Sequence, residues 1–348
     1  MKPVRLPVVK AEGSPYEMGF MHGQACRTRI REFVDLNLRR LNLTADRALR
    51  MSRSYVPHIQ RFSTELAEEL EGIAEGADIS YDEIVFLHVR SHLARQLRGT
   101  WCSAFALSRS ASSTGGIVLG QNDDFFHGFG ELSIILNLVP KSGPRILTYT
   151  YPGIIGHIGI NSTGLGLCLN AVVSPGWRIG VPYYFIARRL LGAESIEECT
   201  EVIAQATRAS SMNYLLVDRL RIADIETTVT DYRVLLNEDE GLLVHTNHFL
   251  HPDFALQDKG LAELPCSPIR LKVLRELLKR NSGSLDVKKL QEILSNHQNY
   301  PYSICRHLTN EPNAIETIAS IVAEPSKRLM HVAAGNPCEN RVSLHGLE

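Results

Sequence analysis

Hydrophobic and polar positions follow a helical period through the first part of the chain. Apolar residues recur every three or four positions over 15–54, and Pro57 interrupts that run. A second helix is predicted over 63–76. The segment Ser80-Tyr-Asp-Glu83 has the spacing of a capping box, in which the serine and the glutamate satisfy the first turn. It predicts a third helix that ends near residue 98.

The pattern changes at Cys102, where short runs rich in β-branched and aromatic residues begin. The runs CSAFALS and GIVLGQN are separated by the turn-forming SASSTGG. Further strands are predicted at LSIILNLVP, RILTYTY, HIGIN, LGLCLNAVV, NYLLVDR, IADIETTVTD, VLLN, LLVHTN, ETIASIVAE and RLMHVAA. Helices are predicted over 182–208, with a break near Gly192, and over 268–280 and 285–295. Closely spaced strands between helices favour layered antiparallel sheet.

Composition and the absence of internal boundaries indicate one globular unit. Hydrophobic residues make up 44% of the 348 residues and charged residues 22%, which is typical of a protein with a large buried core. No fixed-period repeat or low-complexity linker divides the chain. We therefore predict one compact domain, in which a helical segment, 1–101, packs on a β-rich part, 102–348.

Charge and hydropathy exclude two classes of partner. The 37 basic and 38 acidic residues give a net charge of −1, so no basic field is available to neutralise the phosphates of a nucleic acid. Prolines and charges interrupt the N-terminus before an apolar run of signal-peptide length accumulates, and no later run approaches the length of a membrane span. The expected location is the cytosol.

The spacings of the seven cysteines and of a group of histidines bear on disulfide and metal sites. The cysteines are far apart, odd in number and without a CxxC pair, so neither a disulfide framework nor a zinc site is predicted. His245, His248 and His251 are spaced three apart, but a strand followed by a loop does not turn three such rings to one side. A histidine-ligated metalloenzyme stays a minor alternative, and no metal or cofactor is expected.

Cys102 is a candidate catalytic residue because the predicted strands bring polar residues near it. The next strand ends in Gln121-Asn122-Asp123-Asp124-Phe125-Phe126, and a hairpin would set these side chains beside the start of the Cys102 strand. Two further polar clusters are His245-Thr246-Asn247-His248, at another strand end, and Ser303-Ile304-Cys305-Arg306, in a loop. A lone cysteine is more often a buried structural thiol, so these neighbours carry the catalytic hypothesis.

The ordered set of motifs resembles the N-terminal nucleophile hydrolases of the acyl-coenzyme A:6-aminopenicillanic acid acyltransferase type, relatives of choloylglycine hydrolases and penicillin V acylases. The matching motifs are Ser14-Pro15-Tyr16-Glu17-Met18-Gly19 with His22-Gly23, Gly72-Ile73-Ala74-Glu75-Gly76, Cys102-Ser103-Ala104-Phe105, Gly120-Gln121-Asn122-Asp123-Asp124-Phe125-Phe126, Asn161-Ser162-Thr163-Gly164-Leu165 and His245-Thr246-Asn247-His248.

This resemblance implies an α+β fold of the αββα type, with two antiparallel sheets between helical layers. It also implies autocatalytic cleavage between Trp101 and Cys102, after which the two fragments stay associated. The freed α-amine, with an ordinary pKa of about 7.7–8.0, can then take the thiol proton of the same residue. The implied activity is hydrolysis or formation of amide bonds in small N-acyl compounds, with acyl-coenzyme A as an optional co-substrate.

The resemblance also assigns roles to individual residues. Cys102 is the nucleophile and Asp124 the aspartate that orients it. Asn247 donates to the oxyanion, and Arg306 supports the nucleophile or a substrate carboxylate. Asn170 is a second polar contact to the reacting carbonyl. Aromatic side chains that line an acyl pocket are expected at Phe125, Phe126, Trp177, Tyr183 and Tyr184.

Three positions differ from the family pattern. Trp101 precedes the nucleophile where this family commonly has glycine, which restricts the close turn that thiol attack requires. Asp123 adjoins Asp124, and only one of two neighbours on a strand can face Cys102. Gln121 replaces the arginine of choloylglycine hydrolases, which argues against bile-salt specificity. An unprocessed small-molecule binding protein on the same fold is the alternative, and a homo-oligomer is left open.

Overall fold

The computed structural model describes residues 6–93, 101–236, 241–310 and 314–347. The helices are α1 Pro15–Leu41, α2 Ala45–Arg53, α3 Val56–Phe62, α4 Thr64–Ala77, α5 Tyr81–Leu93, α6 Phe129–Leu132, α7 Tyr183–Leu191, α8 Ile196–Gln205, α9 Pro252–Ala255, α10 Gly260–Glu263, α11 Cys266–Arg280 and α12 Val287–Leu294. The strands are β1 Val8–Gly13, β2 Ser103–Leu107, β3 Val118–Phe126, β4 Ile134–Pro140, β5 Ile146–Thr150, β6 Ile158–Asn161, β7 Gly166–Asn170, β8 Met212–Val217, β9 Ile222–Thr227, β10 Tyr232–Leu235, β11 Leu242–His245, β12 Ile315–Glu324, β13 Leu329–Ala334 and β14 Val342–Gly346.

The first predicted helix is two helices in the structure. Asn42 takes a left-handed conformation, with φ at 50°, and ends α1, because asparagine tolerates this region and its N–H can reach the last carbonyls. Pro57 lies in the first turn of α3, where its missing N–H has no intrahelical partner to lose. The end predicted for the third helix, at residue 98, lies outside the described residues. Across the described ranges, no helix is long and apolar enough to cross a bilayer.

The described strands form two sheets. The larger sheet has the order β1-β4-β5-β6-β7-β8-β9-β10, and the smaller sheet has the order β11-β2-β3-β12-β13-β14. Neighbouring strands are antiparallel except β1 and β4, which are parallel. The prediction of purely antiparallel sheets is therefore corrected at this edge. Strand β1 was not predicted, because its run VVKAEG is short and its partner follows more than a hundred residues later.

Helices cover the outer faces of both sheets. Ile160, Leu215 and Val332 belong to the apolar layer between the sheets. The helices α1, α4, α5 and α7 bury their apolar faces against the larger sheet. On the other side, Leu274 of α11 and Leu290 of α12 pack with Phe105 of the smaller sheet. These four layers are the predicted αββα sandwich, so the predicted fold class is confirmed.

Glycines bring two helices of the N-terminal segment unusually close. Gly19 and Gly23 of α1 face Gly72 and Gly76 of α4. A Cβ atom at any of the four would lie 2.0–2.2 Å from a main-chain carbonyl oxygen of the opposite helix. Only hydrogen fits there, so the two glycine pairs set the distance between the helices.

Candidate active site

The register of the hairpin β2–β3 places Cys102 against Asp123. Ser103 pairs with Asn122, and in an antiparallel ladder the residue before Ser103 therefore lies opposite the residue after Asn122. The Cys102 thiol points to the same face as the Asp123 carboxylate, with Sγ 3.6 Å from Oδ1. Both side chains are buried and face the larger sheet.

Burial sets the ionisation of this thiol–carboxylate pair. Desolvation raises the pKa of Cys102 well above its ordinary value, and the neighbouring Asp123 and Asp124 carboxylates raise it further. Desolvation also raises the pKa of Asp123 to about 6, opposed by the hydroxyl of Tyr151, which donates to Oδ2 over 2.8 Å. At neutral pH the thiol is therefore protonated and faces an acid whose pKa lies close to neutrality, as a proton acceptor requires.

Asp124 lies on the opposite face of β3. Its Oδ1 accepts a hydrogen bond of 2.7 Å from the hydroxyl of Thr317, and its main-chain oxygen accepts the N–H of Trp101 at 3.0 Å. Desolvation raises the pKa of Asp124 to about 7, although the charges of Arg270 and Arg306 oppose the rise. Among the described residues, Oδ2 has no hydrogen-bond partner.

The family resemblance placed Asp124 against the nucleophile, whereas the carboxylate that faces the thiol in the structure belongs to Asp123. The pleat of β3 is the reason, since neighbouring residues of a strand point to opposite faces. A bulge at Ile318 in β12 also shifts the pairing, so that Thr317 lies opposite Asp124 and Ala319 opposite Asp123. The hydroxyl of Thr317 thereby reaches Asp124, while the small Ala319 lies beside Asp123.

Arg270 of α11 holds the main chain of Cys102 in place. Its Nη1 donates to the carbonyl oxygen of Cys102 and to Oγ of Ser103, each at 2.8 Å. Its Nη2 donates to Oδ1 of Asn247 at 2.7 Å, and the same Oδ1 accepts the main-chain N–H of Cys102 at 3.0 Å. The guanidinium is fully buried. Its planar fork of donors thus fixes both the amide of Asn247 and the peptide groups on either side of the nucleophile.

Two contacts hold the loop that carries Asn247. Its main-chain N–H donates to Oγ of Ser267 at 2.7 Å, and its Nδ2 donates to the carbonyl oxygen of Ala171 at 3.1 Å. His245, two residues before Asn247, forms a buried ion pair with Glu226, with Nε2 and Oε1 2.9 Å apart. These contacts anchor the Asn247 side chain at the head of β2.

The three histidines weighed as metal ligands have separate partners. His245 pairs with Glu226, the Nδ1 of His248 lies 2.7 Å from Oγ of Ser267, and the Nδ1 of His251 accepts the N–H of Asp253. Within the part of the chain that the structure describes, these three histidines do not form a group with the geometry of a metal site.

Arg306 contacts Trp101, the residue before Cys102. Its guanidinium carbon lies 4.1 Å from the centre of the Trp101 ring, a cation–π contact. Its Nη1 lies 3.6 Å from the sulfur of Cys266. Burial lowers the pKa of Arg306, and the charge of Asp124 opposes that fall. Trp101 therefore covers the face that an anion would otherwise reach.

A small cavity opens beside the thiol. It is lined by Cys102, Asp123, Phe125, Tyr151, His157, Leu169, Ala171, Tyr183, Tyr184 and Met212. It has room for about one water molecule. Phe126 and Trp177 do not line it: Phe126 packs against Arg40 and Phe129, and the indole N–H of Trp177 donates to Ser211.

Two polar residues near the cavity have structural contacts. The Nδ2 of Asn170 lies 3.5 Å from the carbonyl oxygen of His245, and its Oδ1 has no partner within the described ranges. Gln121 donates to the carbonyl oxygen of Leu169 at 2.8 Å and accepts its N–H at 2.9 Å. Gln121 therefore joins the two sheets at the place where choloylglycine hydrolases carry an arginine.

Comparison with protein families decides which family this site belongs to. The model of the acyl-coenzyme A:6-aminopenicillanic acid acyltransferases matches residues 111–339, which is well over half of the chain. The chain belongs to this family. The predicted family is therefore confirmed, and membership indicates an enzyme with acyltransferase or amidohydrolase chemistry. The matched range includes Asp123, Asp124, Asn247 and Arg306 and begins after Cys102.

Two individual relatives align with nearly the whole chain. The acyl-coenzyme A:6-aminopenicillanic-acid-acyltransferase 40 kDa form of Emericella nidulans is 28% identical over 340 residues, which are 94% of this chain and 92% of the relative. The β-alanyl-dopamine/carcinine hydrolase of Drosophila melanogaster is 21% identical over 371 aligned positions, covering 96% of this chain and 94% of the relative. Among solved structures, the N-acylethanolamine-hydrolyzing acid amidase orthologue of Caenorhabditis elegans has 18% identity and a TM-score of 0.48, and the match covers 64% of this chain and 93% of that one.

Two buried arginines of the candidate site were missed by sequence reasoning. Arg270 lies in the run RLKVLRELLKR, where several basic residues look like a solvated helix face. Arg90 of α5 is buried over the rings of Phe33, Tyr151 and Tyr184, and its Nη2 donates to the hydroxyl of Tyr184 at 2.7 Å. The apolar run around Arg90 was the available signal, since a charge inside such a run needs buried partners.

Histidines of the N-terminal helices hold the loop that carries Tyr151. The Nε2 of His22 accepts the N–H of Gly153 at 3.1 Å, and the Nε2 of His88 accepts the N–H of Ile155 at 3.3 Å. Burial lowers the pKa of His22 to about 4 and that of His88 to about 3. Both rings are therefore neutral at pH 7, as an acceptor must be.

Proposed function

We propose that this protein is a self-processing cysteine amidohydrolase or N-acyltransferase that works through an acyl-enzyme on Cys102. The observation that carries the proposal is the position of one residue. The thiol of Cys102 faces Asp123, its N–H is held by Asn247 and its carbonyl by Arg270. A cysteine needed only for packing would not require its thiol, N–H and carbonyl to be oriented by three contacts from distant parts of the fold.

Self-cleavage comes first in this scheme. Asp123 takes the thiol proton, and the sulfur attacks the carbonyl carbon of Trp101. The peptide C–N bond breaks, the nitrogen of Cys102 gains a proton, and a thioester links Trp101 to the sulfur. One water molecule then hydrolyses the thioester and releases the Trp101 carboxylate. The products are the fragments 1–101 and 102–348, the second of which begins with a free amine.

Acyl transfer follows the same atoms. The α-amine of Cys102 takes the thiol proton, and the thiolate attacks the carbonyl carbon of an amide or of acyl-coenzyme A. The amide of Asn247 donates to the developing oxyanion in place of Ala171, and the amine passes the proton to the leaving group. Water then releases a carboxylic acid, or an amine takes the acyl group as a new amide.

The roles of the charged residues follow from their faces on β3. Asp123 orients the thiol, and Asp124 is the counter-ion of Arg270 and Arg306 on the side where Trp101 leaves. Departure of Trp101 uncovers the guanidinium of Arg306 for the nucleophile or for a substrate carboxylate. Asn170 supplies a second polar contact to the substrate.

The substrate class is a small N-acyl compound. Aromatic rings dominate the cavity beside the thiol, so an apolar acyl chain or ring fits it better than a charged one. Phe125 lies in that lining, and Phe126 belongs to the adjoining wall. The name of the Drosophila relative, a β-alanyl-dopamine/carcinine hydrolase, supports a small amide substrate. Because the cavity holds about one water molecule, we expect release of the segment before Cys102 to enlarge it.

The remaining partner and location assignments stay predictions. We propose a cytosolic enzyme without a nucleic-acid or membrane partner, with no cofactor in the acyl-transfer step, and with a homo-oligomer left open. The two fragments would stay together, because β1 pairs with β4 across the cleavage site and α1, α4 and α5 share one apolar core with the larger sheet.

Mass spectrometry of the purified chain tests the proposal. We expect the unmodified chain to yield two masses, which correspond to 1–101 and 102–348, and Cys102→Ala to stay whole. Cys199→Ala is the control, since Cys199 is buried in α8 and should leave cleavage unchanged. The two fragments should co-elute in size-exclusion chromatography.

Activity completes the test. Cleaved protein should hydrolyse N-acyl amino acids, acyl amines or penicillin V, and Cys102→Ala should not. An intact chain whose Cys102 never reacts with thiol reagents would contradict the enzyme and support the unprocessed binding protein.

A further inference from the structure

Two cysteines and two histidines converge outside the catalytic site. His297, Cys305 and His307 lie in the loop between α12 and β12, and Cys338 follows β13. Their ligand atoms all lie within 4.8 Å of one another. We call these four residues the Cys-His cluster. Two separate loops supply it, and no feature of the proposed acyl transfer uses it.

Three of the separations within the Cys-His cluster match those around one tetrahedral ion, and the distance between the two imidazole nitrogens is shorter. The sulfurs of Cys305 and Cys338 are 3.6 Å apart, and the Nε2 atoms of His297 and His307 are 3.0 Å apart. The Nε2 of His307 lies 3.8 Å from the first sulfur and 3.3 Å from the second. With Zn–S near 2.3 Å and Zn–N near 2.0–2.1 Å, a tetrahedral site separates its ligand atoms by about 3.3–3.8 Å.

Two polar residues, Glu339 and Asn336, also lie against members of the cluster. The Nδ1 of His307 lies 3.6 Å from Oε1 of Glu339, on the side of the ring away from the cluster. A carboxylate there fixes the ring so that Nε2 presents its lone pair to a metal. The Nδ2 of Asn336 lies 3.7 Å from the sulfur of Cys305, where a donor stabilises a thiolate. The same Nδ2 also donates to the main-chain oxygen of Arg306.

We propose that the Cys-His cluster binds one Zn²⁺ ion. Two thiolates and two neutral imidazoles in tetrahedral array are a donor set typical of structural zinc, and four protein ligands leave no open position for catalysis. The zinc therefore has a structural role. The site departs from the expectation of no metal, because its ligands have none of the short spacings by which zinc sites are recognised in a sequence.

The proposed ion lies next to a residue of the active site. Arg306 stands between the ligands Cys305 and His307, and its side chain points to the opposite side, toward Trp101. The main-chain N–H of Arg306 donates to Oγ1 of Thr317, and its carbonyl oxygen accepts the N–H of Thr317, each at 2.9 Å. Zinc would thus clamp the backbone that presents Arg306, a consequence that rests on the proposed function, whereas the ion itself does not.

Metal analysis of the full chain tests the site. The protein is purified without a histidine tag, under reducing conditions and without chelator, and its zinc is measured by plasma mass spectrometry. We expect about one zinc per chain. Cys338→Ser removes a ligand, so its zinc content should be at most about a tenth of that of the unmodified protein. Cys338 is exposed, so this variant should fold.

A matched histidine variant controls for surface binding. His127 is exposed and pairs with Glu316 at 2.6 Å, as His307 pairs with Glu339, but it lies outside the cluster. His127→Ala should keep the zinc, whereas His307→Ala should lose it. A zinc content equal in all variants, or below about a tenth of an ion per chain in the unmodified protein, would overturn the proposal.

Thermal unfolding supplies a second readout. A strong zinc chelator should lower the Tm of the unmodified protein by about 5 °C and leave the Tm of Cys338→Ser unchanged. A disulfide between Cys305 and Cys338 in protein kept under reducing conditions would also overturn the proposal. None of these measurements needs a substrate, so the zinc site and the proposed function can fail separately.

Discussion

Two adjacent acids on one strand have different surroundings, and their difference decides the chemistry proposed for each. Asp123 faces the thiol of Cys102 and the hydroxyl of Tyr151, whereas Asp124 faces Thr317 and two arginines. Burial raises the pKa of the first to about 6 and of the second to about 7. Only Asp123 is placed to accept the thiol proton.

Replacing each acid in turn tests that assignment. Asp123→Asn should slow self-cleavage about 100-fold, because an amide cannot act as the base. In the unmodified chain the cleavage rate should rise as the pH passes about 6, where Asp123 loses its proton, and this rise should vanish in Asp123→Asn. The measurement is the fraction cleaved against time, after synthesis in a cell-free system at several pH values.

Asp124→Asn is the control, since it keeps the acid that faces the thiol. It should preserve the rise near pH 6. If Asp124→Asn removes the rise and Asp123→Asn keeps it, then the contact between Asp123 and the thiol has no role in cleavage.

At this scale the sequence predicted the residues better than their partners. Cys102, Asn247 and Arg306 lie around the scissile position, and motif order was enough to single them out. The choice between Asp123 and Asp124 depends on the register of β2 on β3, which sets Ser103 opposite Asn122 and is not fixed by either strand alone. Arg270 was missed because α11 carries several basic residues, and only tertiary packing shows which one is buried.

Secondary-structure elements of the N-terminal segment are held by a contact without side chains. Gly19 and Gly23 on α1 meet Gly72 and Gly76 on α4, so each helix approaches the other's backbone. Glycine inside a helix ordinarily costs about 1 kcal/mol relative to alanine. Here the close approach reverses that preference.

Gly72→Ala should therefore destabilise the protein. Its Cβ would lie 2.1 Å from the carbonyl oxygen of Tyr16 and 2.8 Å from the N–H nitrogen of Phe20, so the helices must separate. We expect the free energy of unfolding to fall by about 1–3 kcal/mol, measured by urea denaturation. Thr28→Ala on the exposed face of α1 is the control and should be neutral or slightly stabilising. Equal stability of Gly72→Ala and the unmodified protein would mean that the helices separate at no cost.

Helices and central strands were predictable because their apolar periods are local. The capping box at Ser80 and the strand series after Cys102 correspond to elements of the structure. The edge strands β1 and β14 escaped prediction because they are short and carry polar residues on their exposed faces, and β1 also pairs with a strand distant in the sequence. The Cys-His cluster escaped for the same reason, since the fold and not the spacing brings its members together.

Over the whole molecule, buried neutral histidines predict sensitivity to acid. Desolvation lowers the pKa of five histidines to about 3–4, namely His22, His88, His92, His157 and His248. Each takes up a proton near pH 6.5 when unfolded but not when folded, so stability present above pH 6.5 is lost as the pH falls. Four buried acids with raised pKa values, Glu69, Asp123, Asp124 and Asp224, act in the opposite direction and offset most of the five histidines.

The free energy of unfolding should fall between pH 6.5 and pH 4 by up to about 1.4 kcal/mol per pH unit for each net histidine. His22→Gln should reduce that slope by one group, because an amide oxygen can still accept the N–H of Gly153 without titrating. Exposed His127→Gln is the control and should not change the slope. Urea denaturation at pH 7, 6 and 5 measures the slope, and an unchanged slope in His22→Gln would show that this ring does not stay neutral in the folded protein.

The residues that hold the main chain of Cys102 lie far from it along the chain: Asn247 is 145 residues away and Arg270 is 168 residues away. None of these contacts exists until both sheets and α11 have assembled. A partly folded chain would therefore stay in one piece, and the cut would mark only molecules that had finished folding. Maturation would serve as quality control, with a truncated or misassembled copy kept inert by its own intact backbone.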